Sequence, residues 1–185
     1  MHNISITTNR LILREYQEED WEQVHVYASV PEFSKFEIWG PNTVEQTKQF
    51  VQKAVEQANE PNRIDFELAI CLKDAHLQIG GCGIHIDSEN PSLAAIGWAI
   101  NPEYQNKGYA TEAARALIDY GFDNLSLGGI DAFTDVNNIA SVKVMEKIGM
   151  TFMERINSHM KIKGRIRNSF RYQISSEDRD CQRIK

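Results

Sequence analysis

Gln105-Asn106-Lys107-Gly108-Tyr109-Ala110 decides how the rest of the chain is read. It follows the apolar, strand-patterned run Ala94-Ala95-Ile96-Gly97-Trp98-Ala99-Ile100 and opens a helix-patterned segment over 111–122. A strand, a short glycine-containing loop and a helix N-terminus together make an anion site. The first helical N–H groups lack internal partners, and the macrodipole adds about half a positive charge there. A diphosphate is a natural guest.

Elements on either side follow from periodicity and caps. Leu11-Ile12-Leu13 reads as a first strand, and Trp21, Val24 and Ala28 recur at helical spacing behind Asp20, the expected N-cap. Pro31 ends that helix, and an aromatic loop, 33–41, follows. Thr43 with Gln46 forms a capping box for a helix running to about Asn59. Segments 66–72 and 79–86 read as a hairpin, with 94–100 as the next strand. Beyond the loop, Ala110, Ala113, Ala114, Leu117, Ile118 and Gly121 form one helical stripe. A strand at 130–134 precedes a helix capped by Asn138, with Val142, Met145 and Ile148 inward and Gly149 ending it. Strands near 151–157 and 170–174 close the order β-α-α-β-β-β-α-β-α-β-β. The fold class is α/β in the α+β sense: a mixed sheet with helices on both faces, less regular than a dinucleotide-binding alternation.

The 185 residues are expected to form one domain, 1–185, with a core over 8–174 and a polar, mobile tail over 175–185. No apolar run approaches the roughly 20 residues that span a bilayer, and the first residues lack a basic-then-apolar leader, so a cytoplasmic location is expected. Cys71, Cys82 and Cys181 are scattered, as are the five histidines, so free thiols and no metal are expected. A net charge of −6 argues against nucleic-acid binding. One basic stretch, Lys161, Lys163, Arg165, Arg167 and Arg171, alternates around Gly164. It reads as a hairpin with a solvated face, or as a basic wall beside an acidic ligand.

Neither GxGxxG nor GxxxxGK[ST] occurs. Gln-x-x-Gly-x-Ala at a strand-to-helix turn instead resembles the acyl-CoA pyrophosphate loop of the GNAT acetyltransferases. The resemblance continues in Thr8-Asn9-Arg10-Leu11-Ile12-Leu13-Arg14 with Asp20, Trp39-Gly40-Pro41, Ile79-Gly80-Gly81 and Asn101-Pro102-Glu103-Tyr104. It ends in Asp135-Val136-Asn137-Asn138-Ile139-Ala140-Ser141 and Glu146-Lys147-Ile148-Gly149-Met150. The branch it is most similar to acetylates N-terminal amines of ribosomal proteins.

This resemblance implies a GNAT fold and an acetyl-CoA-dependent N-acetyltransferase that releases CoA. Backbone amides of Gln105, Asn106, Lys107, Gly108, Tyr109 and Ala110, with Thr111, hold the pyrophosphate, and Lys147 lies on the same cofactor side. Gly108 allows close approach, and Asn106 tolerates left-handed backbone where the family often has glycine. Lys107 adds charge or is a solvated loop lysine. Trp98, Ala99 and Ile100 lie beside pantetheine, the Ile100 N–H serving as oxyanion donor. Asn138 reaches the CoA arm, caps its helix, or does both. Ser141 is a general acid, or an ordinary first-turn serine. Phe33, Phe36 and Trp39 line the acceptor groove, or pin their loop to the core; His85 lies on the acceptor side.

The base is open. Ala94 and Ala95 stand where many members carry a strand glutamate, leaving His85, Asp87, Glu67 and Glu112 as candidates. An α-amine with a pKa near 7.7–8 is roughly a tenth neutral at pH 7, whereas lysine at about 10.4 is neutral only about once in 2,500. A missing base therefore favours a protein N-terminal α-amine. A small amine (polyamine, amino acid or antibiotic) is the alternative acceptor, and a non-catalytic acyl-CoA-binding module is the alternative of another class. A homodimer could form through a sheet edge near 170–174.

Overall fold

The computed structural model describes residues 4–183, and an eight-stranded sheet in the order β1-β2-β3-β4-β5-β6-β8-β7 organises them. The strands are β1 (Ser5–Thr7), β2 (Leu11–Glu15), β3 (Asp65–Leu72), β4 (Gln78–Ile86), β5 (Leu93–Ile100), β6 (Gly129–Asp135), β7 (Thr151–Ile162) and β8 (Arg165–Ser175). The helices are α1 (Trp21–Ala28), α2 (Val44–Ala58), α3 (Tyr109–Asn124), α4 (Ile139–Lys147) and α5 (Ser176–Arg183). Every neighbouring pair is antiparallel except β5–β6, the one pair joined by a helical crossover, α3.

Two apolar cores lie on opposite faces of the sheet. On one face Ala113, Ala114, Leu117 and Ile118 of α3 and Met145 of α4 pack on Leu11, Leu13, Leu68, Ile84 and Ile130. On the other, Val24, Tyr27 and Ala28 of α1 and Val51 and Ala54 of α2 pack on Ala69 and Cys71. The strands β4 and β5 approach closely because Gly80 has no side chain. A Cβ there would come within 2.2 Å of the Ala99 carbonyl oxygen.

Caps written in short sequence patterns form as expected. Thr43 Oγ1 accepts from the Gln46 amide at 3.2 Å, and Gln46 Oε1 accepts from the Thr43 amide at 2.9 Å. Asn138 Oδ1 accepts from the Ser141 amide at 3.2 Å. Lys163 and Gly164, both with positive φ, make the turn of the basic hairpin.

Four expectations are corrected. Asp20 makes no side-chain cap on α1; its buried carboxylate takes both Arg14 guanidinium nitrogens at 2.7 and 2.8 Å and the Gln17 amide at 2.8 Å. A three-residue strand, β1, precedes the expected first strand. Segment 170–174 is no edge, because β8 is paired on both sides; the sheet's edges are β1 and β7. The tail is helical over α5, anchored where Arg179 Nη1 meets Asp119 and Asp123 at 3.3 and 2.8 Å. Residues 184 and 185 of that tail lie outside the described residues.

Candidate active site

The loop expected to hold an anion is built by three short devices. Asn101 Oδ1 accepts from the Glu103 amide at 3.1 Å and starts a single 3-10 turn, Pro102–Tyr104. Gln105 Nε2 then donates to the Ile100 carbonyl at 2.9 Å, tying the loop back to the end of β5. Asn106 and Gly108 take left-handed backbone, φ +61° and +82°, which turns the chain into α3. The first helical bond into this loop is Glu112 N–H to Gly108 O at 3.1 Å. The amides of 106–111 find no acceptor among the described residues. These orphan donors at a helix N-terminus fit a diphosphate.

Arg10, far off in sequence, braces this loop. Its Nη1 donates to the Lys107 carbonyl at 2.9 Å, and its guanidinium lies 4.6 Å over the Tyr109 ring. Its Nε and amide donate to Glu112 at 2.7 and 2.8 Å, and Thr8 Oγ1 adds a third bond at 2.6 Å. Partial burial opposes ionisation of Glu112, but these bonds win and hold its carboxyl below the usual range. Glu112 is thus a buttress and not a base. Lys107 turns back, its Nζ donating to the Glu103 carbonyl at 3.0 Å and lying over Tyr104. Thr111 and Lys147 line the same broad groove beside α3, together with Gly108 and Arg115.

Next to the loop, β5 and β6 splay. Their pairing ends at Ile96–Ala132, while β5 runs on to Ile100 and β6 to Asp135. Asn101 N–H bonds the Ile79 carbonyl at 2.8 Å, so Asn101 faces β4. Alternation along an antiparallel ladder then turns the main-chain groups of Trp98 and Ile100 into the splay, and those of Ala99 toward β4. Ile100 N–H is therefore presented where the oxyanion donor is expected. Asn138 and Ser141, in the first turn of α4, line the same opening.

The splay leads into a cavity of about 710 Å³. Trp98, Cys82 and Gly83 form its floor, Ser141 and Asn138 one wall, and Phe36, Glu37 and Trp39 another. Trp39 and His85 line it as expected. Phe33 does not: it is buried against Tyr27 and Trp39, with ring centroids at 4.9 and 5.5 Å, and pins the loop to the smaller core.

Of the candidate bases, the structure brings Glu67 and His85 into this cavity. Burial pushes the Glu67 carboxyl up, with neighbouring His85 pulling the other way. His85 Nε2 lies 3.6 Å from Glu67 Oε1, and its Nδ1 2.9 Å from Asp65 Oδ1. Asp87 instead accepts the Glu89 and Asn90 amides of a turn. Ala94 and Ala95 carry no such group; the carboxylate lining the cavity is that of Glu67 on β3, separated from β5 by β4.

The basic hairpin is largely spent on internal contacts. Arg171 pairs with Asp131 at 3.0 Å and Glu154 at 3.3 Å. Lys163 Nζ donates to the Ser34 carbonyl at 2.7 Å, and Arg167 Nη1 to that of Phe36 at 3.4 Å. The hairpin thereby holds the aromatic loop over the cavity. Nothing in the sequence assigns Arg10 the bracing of the loop, Arg167 its bond to the aromatic loop, or Glu37 a place in the cavity; Gly83 faces Glu67 across β3 and β4.

Comparison with known proteins agrees with this geometry. The profile of the Acetyltransferase (GNAT) domain matches residues 10–151. An N-acetyltransferase of Bacillus subtilis, YnaD, is 39% identical over 145 residues, 78% of this chain and 81% of that one. A crystal structure of a GNAT-family acetyltransferase from Bacillus anthracis superposes with a TM-score of 0.83 at 32% identity, covering 94% of this chain and 99% of the other. The spermidine N(1)-acetyltransferase of Escherichia coli is 36% identical over 72 residues, 39% of each chain. Among the described residues no helix is long and apolar enough to cross a membrane. The loop, the splayed strands and these likenesses together place the chain in the GNAT acetyltransferase family, as an N-acetyltransferase.

Proposed function

We propose that this chain transfers the acetyl group of acetyl-CoA to the primary amine of a small molecule bound in the cavity between the aromatic loop and β4. The observation that carries the reading is Glu67: a half-buried carboxylate, raised by desolvation, in the same cavity as Ser141 and the splayed end of β5.

The orphan amides of 106–111 hold the diphosphate, with Gln105 and Arg10 fixing the loop's shape. Bound acetyl-CoA supplies a thioester whose carbonyl accepts the amine and whose thiolate leaves. Ile100 N–H stabilises charge developing on the carbonyl oxygen. Glu67 takes a proton from the bound acceptor ammonium, freeing the neutral amine that attacks, and His85 beside it passes that proton toward Asp65 and solvent. Ser141 Oγ donates a hydrogen bond to the leaving sulfur. Asn138 holds the first turn of α4, and so Ser141, in place.

The sequence argument for a protein N-terminal α-amine rests on a missing strand glutamate. Glu67 removes that argument, because a carboxylate in the cavity serves amines of high pKa as well. The relative that acts on spermidine shows a small amine as acceptor within a partly similar chain. Membership of the N-acetyltransferase family speaks against the non-catalytic alternative.

The test is direct. Purified protein is given acetyl-CoA and a panel of small amines, amino acids and N-terminal peptides, with thiol release followed and products weighed by mass spectrometry. N-acetylated small amines are expected. Acetylation of peptide N-termini alone would restore the protein-directed reading, and no thiol release with any amine would refute both.

A further inference from the structure

Glu37 takes no part in the chemistry above. It sits on the loop between α1 and α2 and lines the cavity beside Phe36, Trp39 and Tyr27. Among the described residues its carboxylate has no hydrogen bond and no ion pair. The cations nearest to it are committed elsewhere: Lys163 to the Ser34 carbonyl, and Arg167 to the Phe36 carbonyl and Ser169 Oγ. Lys35, on the same loop, lies 5.2 Å over the Phe36 ring. The remaining charges facing the cavity are Glu67 and His85, from β3 and β4. Glu37 is half-buried; a desolvated carboxylate without a partner is costly, and a ligand cation relieves that cost.

Resting on the small-amine reading, we propose that Glu37 docks a second cationic group of the acceptor, so that the preferred acceptor is a dication: two ammonium groups, or an ammonium and a guanidinium, joined by an apolar spacer. One nitrogen reaches Glu67 and the acetyl donor; the other meets Glu37. The spacer runs along Trp39, Phe36 and Trp98, whose rings accept both methylenes and cations. A monoamine leaves Glu37 half-buried and unpaired.

Proton linkage gives a second signature. Burial pushes Glu37 up to about 7, against the pull of Arg167 and Lys163. A second cation binds the ionised form, so dication binding strengthens as pH rises through that value. From pH 6 to 8 the ionised fraction grows roughly ten-fold, and KM for a diamine should fall by a similar factor relative to a chain-matched monoamine.

The experiment compares kcat/KM for butylamine with 1,4-diaminobutane, and hexylamine with 1,6-diaminohexane, at saturating acetyl-CoA. Wild type and Glu37→Gln are assayed at pH 8, and wild type also at pH 6. A diamine preference of about ten-fold or more is expected in wild type, carried by KM and collapsing toward one in Glu37→Gln. Equal use of monoamine and diamine, or a preference that survives the substitution, overturns the proposal and leaves the acetyltransferase reading intact. Absence of thiol release with every amine overturns both. The wild-type KM ratio between pH 6 and 8 needs no variant; a ratio that does not move also overturns it.

Discussion

Glu67 and Gly83 face each other across β3 and β4, and a Cβ on Gly83 would come within 3.0 Å of Glu67 Oε2 and 3.2 Å of Oε1. The missing side chain is what lets the carboxylate lie over the strand and into the cavity. Gly83→Ala should therefore push Glu67 aside without unfolding the sheet. A displaced base costs on the order of 10- to 100-fold in kcat, with CoA affinity unchanged. Steady-state kinetics with calorimetry on the same sample checks this; unchanged kcat would mean that Glu67 has room to spare.

Gly108 is required for a different reason. A Cβ there would meet only Arg10 Nη2, at an ordinary 3.4 Å, so space is not the constraint; φ of +82° is. Gly108→Ala should cost about 1–2 kcal/mol of strain, relieved by distorting the amides that follow. CoA should bind at least ten-fold more weakly by calorimetry. Retained affinity would show that the loop tolerates a side chain and that its left-handed turn is dispensable.

Ser141→Ala removes a hydroxyl and leaves the Ser141 amide bonded to Asn138. Turnover should fall about 10- to 100-fold while CoA affinity stays within two-fold. Loss of affinity in place of turnover would recast Ser141 as part of the donor site.

Glu37 also predicts how stability varies with pH. Its folded pKa of about 7 lies above the ordinary 4.5. The native state therefore favours the protonated form. The associated stability is complete below pH 4.5 and is lost as pH rises through 7. Glu37→Gln removes this fall and should be more stable than wild type at pH 8, by up to about 3 kcal/mol, and little different at pH 4.5. Thermal melts at both pH values measure it; parallel curves for the two proteins would contradict the burial argument.

What the sequence made legible was local. The capping pairs Thr43–Gln46 and Asn138–Ser141, the β3–β4 hairpin and the β5-loop-α3 junction each lie within a few residues of chain, where propensity and periodicity act directly. What it hid was long-range. Arg10 reaches Lys107 and Glu112 across about a hundred residues. Phe33 and Trp39 share a loop, and spacing alone cannot say that one faces the core and the other the cavity. Glu37 is polar in a surface-patterned loop, and is half-buried where the β7–β8 hairpin bonds that loop at Ser34 and Phe36. The helix α5 has few apolar residues and depends on Arg179 meeting Asp119 and Asp123 of α3. Glu67 stood in the sequence as one candidate base among His85, Asp87 and Glu112, and only the fold shows that Glu112 and Asp87 are tied into other hydrogen bonds while Glu67 lines the cavity.

The pH profile of kcat/KM for one fixed amine, in wild type and Glu67→Gln, addresses the central claim. Wild type should show an acidic limb set by the raised Glu67 carboxyl, and Glu67→Gln should lose on the order of 100-fold or more together with that limb. A variant that keeps the wild-type profile and turns over within two-fold of it would remove Glu67 as the base and, with it, the mechanism drawn from this cavity.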